Sequence, residues 1–271
     1  MIPKIIHYCW FGKNPLPELA VKCIDSWKRF CPDYEIIRWD ESNFDINCNS
    51  YLKEAYEAKK WAFVSDYARL RIIYENGGIY FDTDVELIKP IDNLLDEKCF
   101  FGSETDGWAN TGLGFGAECE NPIVLDLLSM YDNRHFEKVR GVYDLTPCPA
   151  LNTEPLVKKG YVFSKSLVWR NKDFSVFPPE YFCPLDYETG VLTVTNNTYS
   201  IHLFSALWVS AQDLEVASTL EKINKSYSGV VRLFEKQKAL YVIAKKYGDY
   251  TNPISYTFDK IRRKLNEISH N

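Results

Sequence analysis

The chain has 271 residues, of which 46% are hydrophobic and 25% charged, and its formal net charge is −5. This composition is typical of one sizeable α/β domain, with or without a small appendage. The acidic balance and the lack of a basic-aromatic motif argue against a nucleic-acid-binding protein. No apolar stretch approaches the roughly 20 residues of a membrane span, and no signal peptide is evident.

The N-terminal segment predicts a β-α-β unit. Residues 4–11 form a buried strand, residues 17–30 a helix with an apolar face, and residues 34–39 a second strand. A right-handed crossover makes the two strands parallel, and ligands of such sheets lie beyond the carboxyl ends of the strands. Trp10, at the end of the first strand, therefore either stacks on a flat ligand or packs in the core. His7, inside the strand, is expected to be a core histidine.

The stretch 61–86 carries the strongest signal. Apolar residues at helical spacing predict a helix that begins at Trp61, and Asn76-Gly77-Gly78 ends it because glycine tolerates positive φ. A short apolar strand at residues 79–81 then leads to Asp82 and Asp84, which on a regular strand share one face. Two carboxylates that close favour a positive partner, and a divalent cation carrying a phosphate is the natural candidate.

Asp66 and Arg69 are neighbours on the preceding helix because they are three residues apart. They form either a structural ion pair or part of a ligand site. The Asp-Thr-Asp motif by itself could be an ordinary turn. The combination of a helix with S-D-x-x-R, a Gly-Gly turn, an apolar strand and DxD within residues 65–86 is more specific than any of its parts.

Residues 65–86 resemble the DxD core of glycosyltransferase family 32, and the opening IPKIIHYCWFG, Ser26-Trp27 and residues 32–41 are similar to that family's start. The resemblance covers roughly residues 2–117. The same core resembles, more distantly, the catalytic domain of the clostridial glucosylating toxins. The family implies a GT-A type α/β fold, with a Rossmann-like, mixed and mostly parallel sheet flanked by helices.

The resemblance also implies roles for particular residues. Asp82, Asp84 and His202 would bind Mn²⁺ or Mg²⁺, and Asp66, Arg69, Asp82 and Asp84 would form the catalytic set. Residues expected to contact the nucleotide-sugar donor are Trp10, Ser65, Asp66, Arg69, Tyr80, Asp82, Asn110 and Trp208. One departure concerns the C-terminal end of this set, since Leu207 stands where relatives carry a serine.

The remaining elements are less clearly marked. We expect strands at residues 85–89, 99–103 and 111–117, and helices at 122–131 and 149–159. The loop 104–110 either supplies hydrogen bonds to a sugar or is an ordinary connection. Strand-like pieces occur near residues 176–177, 182 and 191–194, in a region that family members use for acceptor recognition. Residues 199–202 predict a last core strand.

The C-terminal part differs in charge from the rest. Residues 1–220 hold 21 basic and 32 acidic residues, whereas residues 221–271 hold 11 basic and 5 acidic ones. We therefore predict a catalytic domain at 1–220 and a basic, helical extension at 221–271. The extension either lies on an anionic membrane surface or packs on the catalytic domain. The eight scattered cysteines lack a metal-binding spacing and predict buried thiols in a reducing compartment.

The predicted function is a metal-dependent, retaining glycosyltransferase that uses a nucleotide-sugar, expected from the family to be a UDP-sugar. Its acceptor would be a glycan or a lipid-linked glycan in bacterial surface polysaccharide synthesis, such as capsule or lipopolysaccharide. The enzyme is expected to be cytoplasmic, either free or peripheral on the inner face of the membrane. Two alternatives remain: a haloacid-dehalogenase-like phosphatase with Asp82 as nucleophile, and a non-catalytic glycan-binding protein. The sequence leaves the donor sugar, the linkage and the oligomeric state open.

Overall fold

A computed structural model describes residues 1–139, 142–187 and 189–205, and individual residues between positions 215 and 246. The chain divides into two compact units. The first comprises residues 1–136 and 145–205, and the second comprises residues 137–144 and 206–271. The predicted domain boundary at residues 220 and 221 lies outside the described residues, as does most of the predicted basic extension.

The first unit alternates strands and helices in its N-terminal half. Its strands are β1 (Ile5–Cys9), β2 (Glu35–Trp39), β3 (Gly78–Tyr80), β4 (Val85–Leu87), β5 (Cys99–Ser103), β6 (Ala109–Ala117), β9 (Trp169–Arg170), β10 (Ser175–Phe177) and β11 (Ser200–His202). Its helices are α1 (Glu18–Phe30), α2 (Ser50–Glu57), α3 (Trp61–Asn76), α4 (Pro122–Ser129), α5 (Cys148–Lys158) and α6 (Pro179–Phe182).

Seven of these strands form one mixed sheet in the order β2-β1-β3-β6-β5-β10-β9. β1 is parallel to both β2 and β3, and β10 is parallel to β5. β6 runs antiparallel to β3 and β5, and β9 runs antiparallel to β10. Five of the seven strands therefore point the same way, which confirms the predicted α/β class with a mixed sheet. Their carboxyl ends meet at one edge.

The Gly77-Gly78 step connects α3 to β3 and needs two glycines. Gly77 has φ +66° and Gly78 has φ +95°, and a side chain is strained at such angles. A Cβ on Gly78 would lie 2.8 Å from both Nε2 of His7 and the carbonyl oxygen of Ile5. The second glycine thus allows β3 to lie flat against β1, and α3 ends at Asn76 as the sequence pattern predicted.

The core is built from large aromatic side chains that pack between the sheet and its helices. Trp27 of α1 is fully buried, contacts the rings of Tyr8 and Phe81, and donates a hydrogen bond to the carbonyl oxygen of Val85 at 2.8 Å. His7 is also fully buried: Nε2 lies 3.0 Å from the Gly77 carbonyl oxygen, and Nδ1 accepts from Trp39 at 3.0 Å. The predicted core histidine is confirmed.

Several predicted elements are wrong in detail. Phe182 lies in α6 instead of a strand, because Pro178 and Pro179 begin a short helix there. Residues 191–194 contain only an isolated bridge between Leu185 and Leu192. The strand at 199–202 is present as β11 but pairs with β4 in a separate two-stranded sheet, outside the main sheet. The expected loop 104–110 is shorter, because β6 already begins at Ala109.

The second unit contains a two-stranded pair, β7 (Glu137–Val139) and β8 (Val142–Tyr143). Lys138 and Asp144 form an ion pair there, at 3.2 Å. The described positions between 215 and 246 are mostly helical, and Lys246 contacts Glu215 at 2.7 Å. The predicted helical extension at 221–271, with its proposed membrane contact, stays a prediction.

Candidate active site

The candidate site lies at the edge of the sheet where the parallel strands end. β1 and β3 are in register with His7 opposite Tyr80, so Trp10 and Asp82 leave the sheet at the same edge. Trp10 is half-buried, and its indole nitrogen donates to the carbonyl oxygen of Asn14 at 2.7 Å. The ring therefore has a fixed orientation beside the acidic residues that follow β3.

Asp82 and Asp84 converge through a turn and not through strand alternation. The amide of Val85 donates to the carbonyl oxygen of Asp82 at 3.1 Å, which closes a turn over residues 82–85. β3 has already ended at Tyr80, because the sheet's edge is reached there. The expectation that both side chains share one face of a regular strand is thus wrong, although the two carboxylates do meet. The turn gives each a different set of partners.

The carboxylate of Asp82 faces the buried side of the site. Its Oδ1 lies 3.2 Å from Nη2 of Arg69 and accepts a hydrogen bond from the Tyr80 hydroxyl at 3.0 Å. The side chain is still 27% exposed, so it reaches the protein surface. Burial raises the pKa of Asp82, and the charge of Arg69 opposes that rise. Arg69 therefore stabilises the charged form of this partly buried carboxylate.

Arg69 links α3 to the acidic turn. Its Nη2 also contacts Oδ1 of Asp66 at 3.1 Å, and its Nε donates to the carbonyl oxygen of Ser65 at 3.1 Å. The guanidinium lies 5.0 Å from the centre of the Tyr80 ring. Burial raises the pKa of Asp66 to about 6, against the influence of Arg69. One buried cation thus holds two carboxylates. Asp66, Arg69 and Tyr80 are buried, and Asp82 is the member of this group that reaches the surface.

The glycine-rich strand β6 makes room for Asp82. The pairing of β6 with β5 shifts between Phe101 and Gly102, so residues 111–114 bulge away from β5. The carbonyl oxygen of Gly112 accepts from the amide of Asp82 at 3.1 Å. A Cβ on Gly112 would lie only 2.2 Å from Oδ2 of Asp82. Only glycine at this position leaves space for the carboxylate.

Asp84 is held by the end of β11. Nε2 of His202 lies 3.3 Å from Oδ1, while the amide and hydroxyl of Ser205 both donate to Oδ2, at 3.0 and 2.8 Å. Burial alone would raise the pKa of Asp84, but the hydrogen bonds from His202 and Ser205 lower it to about 2. Burial also disfavours the charged imidazole of His202, yet Asp84 raises its pKa. Asp84 is therefore ionised at any physiological pH.

The residues after β11 wrap around Asp84. The amide of Leu203 donates to the carbonyl oxygen of Asp84 at 3.0 Å. Phe204 then adopts φ +47°, an angle that is uncommon for a residue with a side chain, and its ring packs edge-on against His202 with centres 4.2 Å apart. This local strain allows the chain to return Ser205 to Asp84.

Asp82, Asp84 and His202 can supply three ligands to one cation. One ligand atom from each lies within 4.8 Å of the other two. Two carboxylates and an imidazole form a donor set that suits Mn²⁺, and Mg²⁺ is compatible with the oxygen ligands. Nδ1 of His202 is buried with no hydrogen-bond partner among the described residues, so the imidazole can reorganise when an ion binds. The donor set therefore fits the divalent cation that the DxD motif implies.

Asn110 belongs to a second group of polar contacts at this edge. Its Oδ1 accepts from the amide of Gly112 at 2.7 Å, and its Nδ2 donates to Oε1 of Glu104 at 2.7 Å. The buried thiol of Cys148, on α5, lies 3.5 Å from Oδ1 of Asn110 and 4.0 Å from Nη1 of Arg69. Asn110 is thus one step from Asp82, through Gly112.

The structure brings together nearly all of the residues chosen from sequence. Arg69, Asp82, Asp84 and their partners form one cluster, and Trp10 lies at the same sheet edge, whereas Trp208 lies outside the described residues. Sequence reasoning missed Ser205, Gly112 and Cys148. Ser205 could have been suspected because it is a serine three residues after His202. Nothing in the sequence around Cys148 distinguishes it from the other cysteines, five of which are also buried.

A known protein family matches the part of the chain that carries Asp66, Arg69, Asp82 and Asp84. Residues 17–101 match the family described as "Glycosyltransferase sugar-binding region containing DXD motif". Inositol phosphoceramide mannosyltransferase 1 of Schizosaccharomyces pombe is 29% identical over 191 residues, which cover 65% of this chain and 56% of that protein. Inositol phosphoceramide mannosyltransferase 3 of the same yeast is 31% identical over 153 residues, which cover 54% and 43%. The chain spans about half the length of these relatives.

Among solved structures, the PaToxG glycosyltransferase is similar over 59% of this chain and 69% of its own, with 17% identity and a TM-score of 0.45. None of the helices within the described residues has both the length and the apolar character that a bilayer span requires. The family match over residues 17–101 includes α1, β2, α3 and the acidic turn. It confirms the resemblance that the S-D-x-x-R and Asp-Thr-Asp pattern indicated. Residues 17–101 of this chain are thus similar to the family of glycosyltransferase sugar-binding regions that contain a DXD motif.

Proposed function

We propose that this protein is a GT-A type glycosyltransferase that moves a hexosyl group from a nucleoside diphospho-sugar to a hydroxyl group of an acceptor. The observation that carries the proposal is the meeting of Asp82, Asp84 and His202 at the carboxyl edge of the sheet, in a chain whose DXD region matches this family. The side chains that support these three residues come from α3, β3 and the segment after β11.

The acidic turn would hold a divalent cation against the diphosphate of the donor. A bound Mn²⁺ or Mg²⁺ supplies Lewis-acid stabilisation of the negative charge that develops on the departing diphosphate. Asp84, ionised and fixed by Ser205, provides the strongest ligand. Asp82, whose Oδ1 is held by Arg69 and Tyr80, contributes its remaining oxygen directly or through water, towards the ribose side.

The donor would lie along the sheet edge between Trp10 and the acidic turn. The half-buried indole of Trp10 offers a face for a nucleobase, because Asn14 fixes the ring nitrogen. We infer a UDP-sugar as donor from the resemblance to family 32. The names of both yeast relatives specify mannose as the sugar that they transfer. The test below therefore includes a mannose donor beside the UDP-sugars.

We propose that the reaction retains the configuration of the donor sugar. A double displacement needs a free carboxylate nucleophile, but Asp66 is buried and paired with Arg69, and Glu104 accepts a hydrogen bond from Asn110. These contacts favour a front-face reaction. The bond between the anomeric carbon and the diphosphate oxygen breaks, the acceptor oxygen bonds to that carbon from the same face, and the departing phosphate takes the acceptor's proton.

The acceptor would be a glycan or a lipid-linked glycan. We propose bacterial surface polysaccharide synthesis, such as capsule or lipopolysaccharide, at the cytoplasmic side of the membrane as its setting. The relatives' names specify inositol phosphoceramide, a lipid-bearing acceptor. The basic residues at 221–271 would favour an anionic membrane surface.

The phosphatase alternative fits the observed contacts less well. A nucleophilic Asp82 would need an open carboxylate with a lysine nearby, whereas its Oδ1 is occupied by Arg69 and Tyr80. Among the described residues, the ion pairs of Asp82 and Asp84 involve Arg69 and His202, and no lysine. A purely glycan-binding protein would bind sugars without releasing nucleoside diphosphate from a nucleotide-sugar.

The experiment is to incubate the protein with Mn²⁺ and UDP-glucose, UDP-galactose, UDP-N-acetylglucosamine or GDP-mannose, and to measure nucleoside diphosphate release. We expect release from one donor, stopped by EDTA and restored by Mn²⁺. NMR of the anomeric proton of the product would show whether configuration is retained. Release of phosphate from p-nitrophenyl phosphate, without turnover of any nucleotide-sugar, would contradict the proposal.

A further inference from the structure

The first unit contains a cleft of about 400 Å³ on the far side of the acidic turn from Trp10. It is lined by Glu104, Thr105, Asp106, Cys183, Asp186, Tyr187 and Phe204. Glu104 follows β5, and Cys183 follows the strand β10 and helix α6. β3, β5 and β10 point the same way, in the sheet order β1-β3-β6-β5-β10. The acidic turn therefore lies between Trp10 and the cleft along one sheet edge.

Two contacts join the cleft to the candidate metal ligands. The ring of Phe204 packs against His202, with centres 4.2 Å apart, and against Tyr187, with centres 5.4 Å apart. On the opposite wall, Glu104 accepts from Asn110, which in turn accepts from Gly112 beside Asp82. A group bound in the cleft would thus lie next to the place where the donor's sugar–phosphate bond is proposed to break.

The lining combines the two features that sugars use for binding. Tyr187 is 74% exposed and Phe204 is half-buried, so both offer aromatic faces to the apolar side of a pyranose ring. Carboxylates of Glu104, Asp106 and Asp186 offer acceptors for its hydroxyl groups. Phe204 reaches its position through a strained backbone angle of φ +47°, a feature that is often found where a side chain must be aimed at a ligand.

The charge of the cleft restricts its ligand. Three of the seven lining residues are acidic, and the described lining contains no lysine or arginine. Lys165 lies 3.8 Å from Asp106 and is exposed. A phosphate in the cleft would meet the like charges of these carboxylates, and none of the described lining residues carries a positive charge. The cleft is therefore suited to an uncharged polyhydroxyl ligand.

We propose that this cleft is the acceptor subsite and that it takes an uncharged glycosyl residue, not a phosphorylated inositol. The inference rests on the proposed transferase function, because a transferase needs a site for its second substrate beside the donor position. It also predicts a difference from the yeast relatives, whose names specify a phosphate-bearing acceptor lipid.

Direct binding tests the cleft without relying on activity. Ligand-observed NMR would use methyl α-mannopyranoside, methyl β-galactopyranoside and myo-inositol 1-phosphate in 50 mM salt. We expect at least one methyl glycoside to bind at least tenfold more tightly than the inositol phosphate. Tyr187→Ala should weaken that binding at least tenfold, and Tyr187→Phe should retain it. Binding that is unaffected by Tyr187→Ala, or equal binding of the phosphate, would overturn the assignment.

The charge effect has its own variant and control. In Asp106→Asn/Asp186→Asn, the preference for the uncharged ligand should fall at least threefold, since asparagine at 186 can still accept the turn hydrogen bond from the Thr189 amide. Glu57→Gln removes an exposed carboxylate on α2, outside the cleft, and should leave the preference unchanged. An unchanged preference in the double variant would contradict the electrostatic argument.

Kinetics separates a failure of this assignment from a failure of the transferase proposal. With an active donor, Tyr187→Ala should raise the KM of the acceptor at least tenfold and change the KM of the donor less than twofold. A rise confined to the donor's KM would make the cleft a donor subsite and overturn the inference. If the wild-type protein releases no nucleoside diphosphate from any donor, the transferase proposal fails, and the NMR result still decides whether the cleft binds a sugar.

Discussion

The two carboxylates of the acidic turn differ sharply in how the protein holds them. Asp82 is held by the buried side chains of Arg69 and Tyr80, residues of α3 and β3 that lie within 13 positions of it in the sequence. Asp84 is supported by His202 and Ser205, which lie 118 and 121 positions away. Burial raises the pKa of Asp82, whereas the pKa of Asp84 falls to about 2. Two aspartates separated by a single residue therefore differ in their partners and in the direction of their pKa shifts.

The acidic turn therefore joins two differently held parts of the site: the partners of Asp82 are fixed by buried charge, and those of Asp84 lie on a short strand and the segment after it. On the Asp82 side, the Arg69 guanidinium is buried against two carboxylates and an aromatic ring, and moving it would expose unpaired charge. On the Asp84 side, the partners come from a short strand and the segment that follows it. Loss of contacts on the first side should damage the fold, whereas loss on the second should mainly damage ligand binding.

Replacing Asp84 should have the largest effect on activity. Asp84→Asn removes the ionised metal ligand and should lower nucleoside diphosphate release by at least about a thousandfold, equal to roughly 4 kcal/mol. Because the pKa of Asp84 is about 2, its charged form contributes roughly 2 kcal/mol of stability at neutral pH, and the thermal unfolding midpoint should fall by roughly 4 to 8 °C. Release would be followed with a coupled assay. Glu86→Gln, on the neighbouring strand with only a surface pair to Lys22, is the matched control and should remain active.

Replacing Arg69 should test the Asp82 side. Arg69→Gln leaves Asp66 and Asp82 without their shared cation, so the free energy of unfolding should fall by about 3 to 5 kcal/mol. Urea denaturation would measure this loss. Arg71→Gln, an exposed arginine on the same helix paired with Glu75, should lose less than about 1 kcal/mol. Equal effects of the two variants would contradict the buried role of Arg69.

Lowering the pH should reduce the free energy of unfolding through His7, which lies in β1 opposite Tyr80 of β3, on the Asp82 side of the site. Burial lowers the pKa of His7 to about 4, whereas the unfolded side chain titrates near 6.5. Between these values the unfolded chain binds a proton that the native protein does not, so stability falls as the pH falls, by about 3 kcal/mol in total. Urea denaturation between pH 7 and 4 should show a shallower slope for His7→Gln. A wild-type slope in His7→Gln would contradict this role of His7.

Removing the hydroxyl of Ser205 should have the smallest effect. Ser205→Ala deletes one of the two hydrogen bonds that Ser205 donates to Asp84, and the backbone amide retains the other. We expect a fall in turnover of roughly fivefold, equal to about 1 kcal/mol, at saturating donor. Ser200→Ala is the control, because the hydroxyl of Ser200 has no partner among the described residues. A thousandfold loss in Ser205→Ala would show that the serine itself is a ligand.

The Asp82 side was largely predictable because its signals are local. Helical spacing, the Gly77-Gly78 stop and the Asp-Thr-Asp motif lie within one short stretch, and each follows from backbone preferences. The sequence pattern could not predict the turn at residues 82–85, because a run of three apolar residues does not show where the strand leaves the sheet. The role of Gly112 depends on a bulge in β6, which is a consequence of tertiary packing.

The Asp84 side was predictable only in part. His202 was chosen through the family resemblance and does contact Asp84, but the resemblance directed attention to position 207 for a serine, whereas Ser205 makes the contact. Pairing between β11 and β4 determines which residues after His202 reach Asp84, and such a long-range register leaves no periodic trace in the sequence. The cleft beside Phe204 likewise depends on a backbone angle that no residue preference predicts.

Binding of Mn²⁺ tests the central claim most directly, since the claim is that Asp82, Asp84 and His202 hold one divalent cation. Titration followed by electron paramagnetic resonance would count the bound ions and give their affinity. We predict one Mn²⁺ per chain in the presence of UDP or GDP, at least a hundredfold weaker binding in Asp84→Asn, and unchanged binding in Glu86→Gln. Equal binding by the wild-type protein and Asp84→Asn, or no binding by the wild-type protein, would contradict the account.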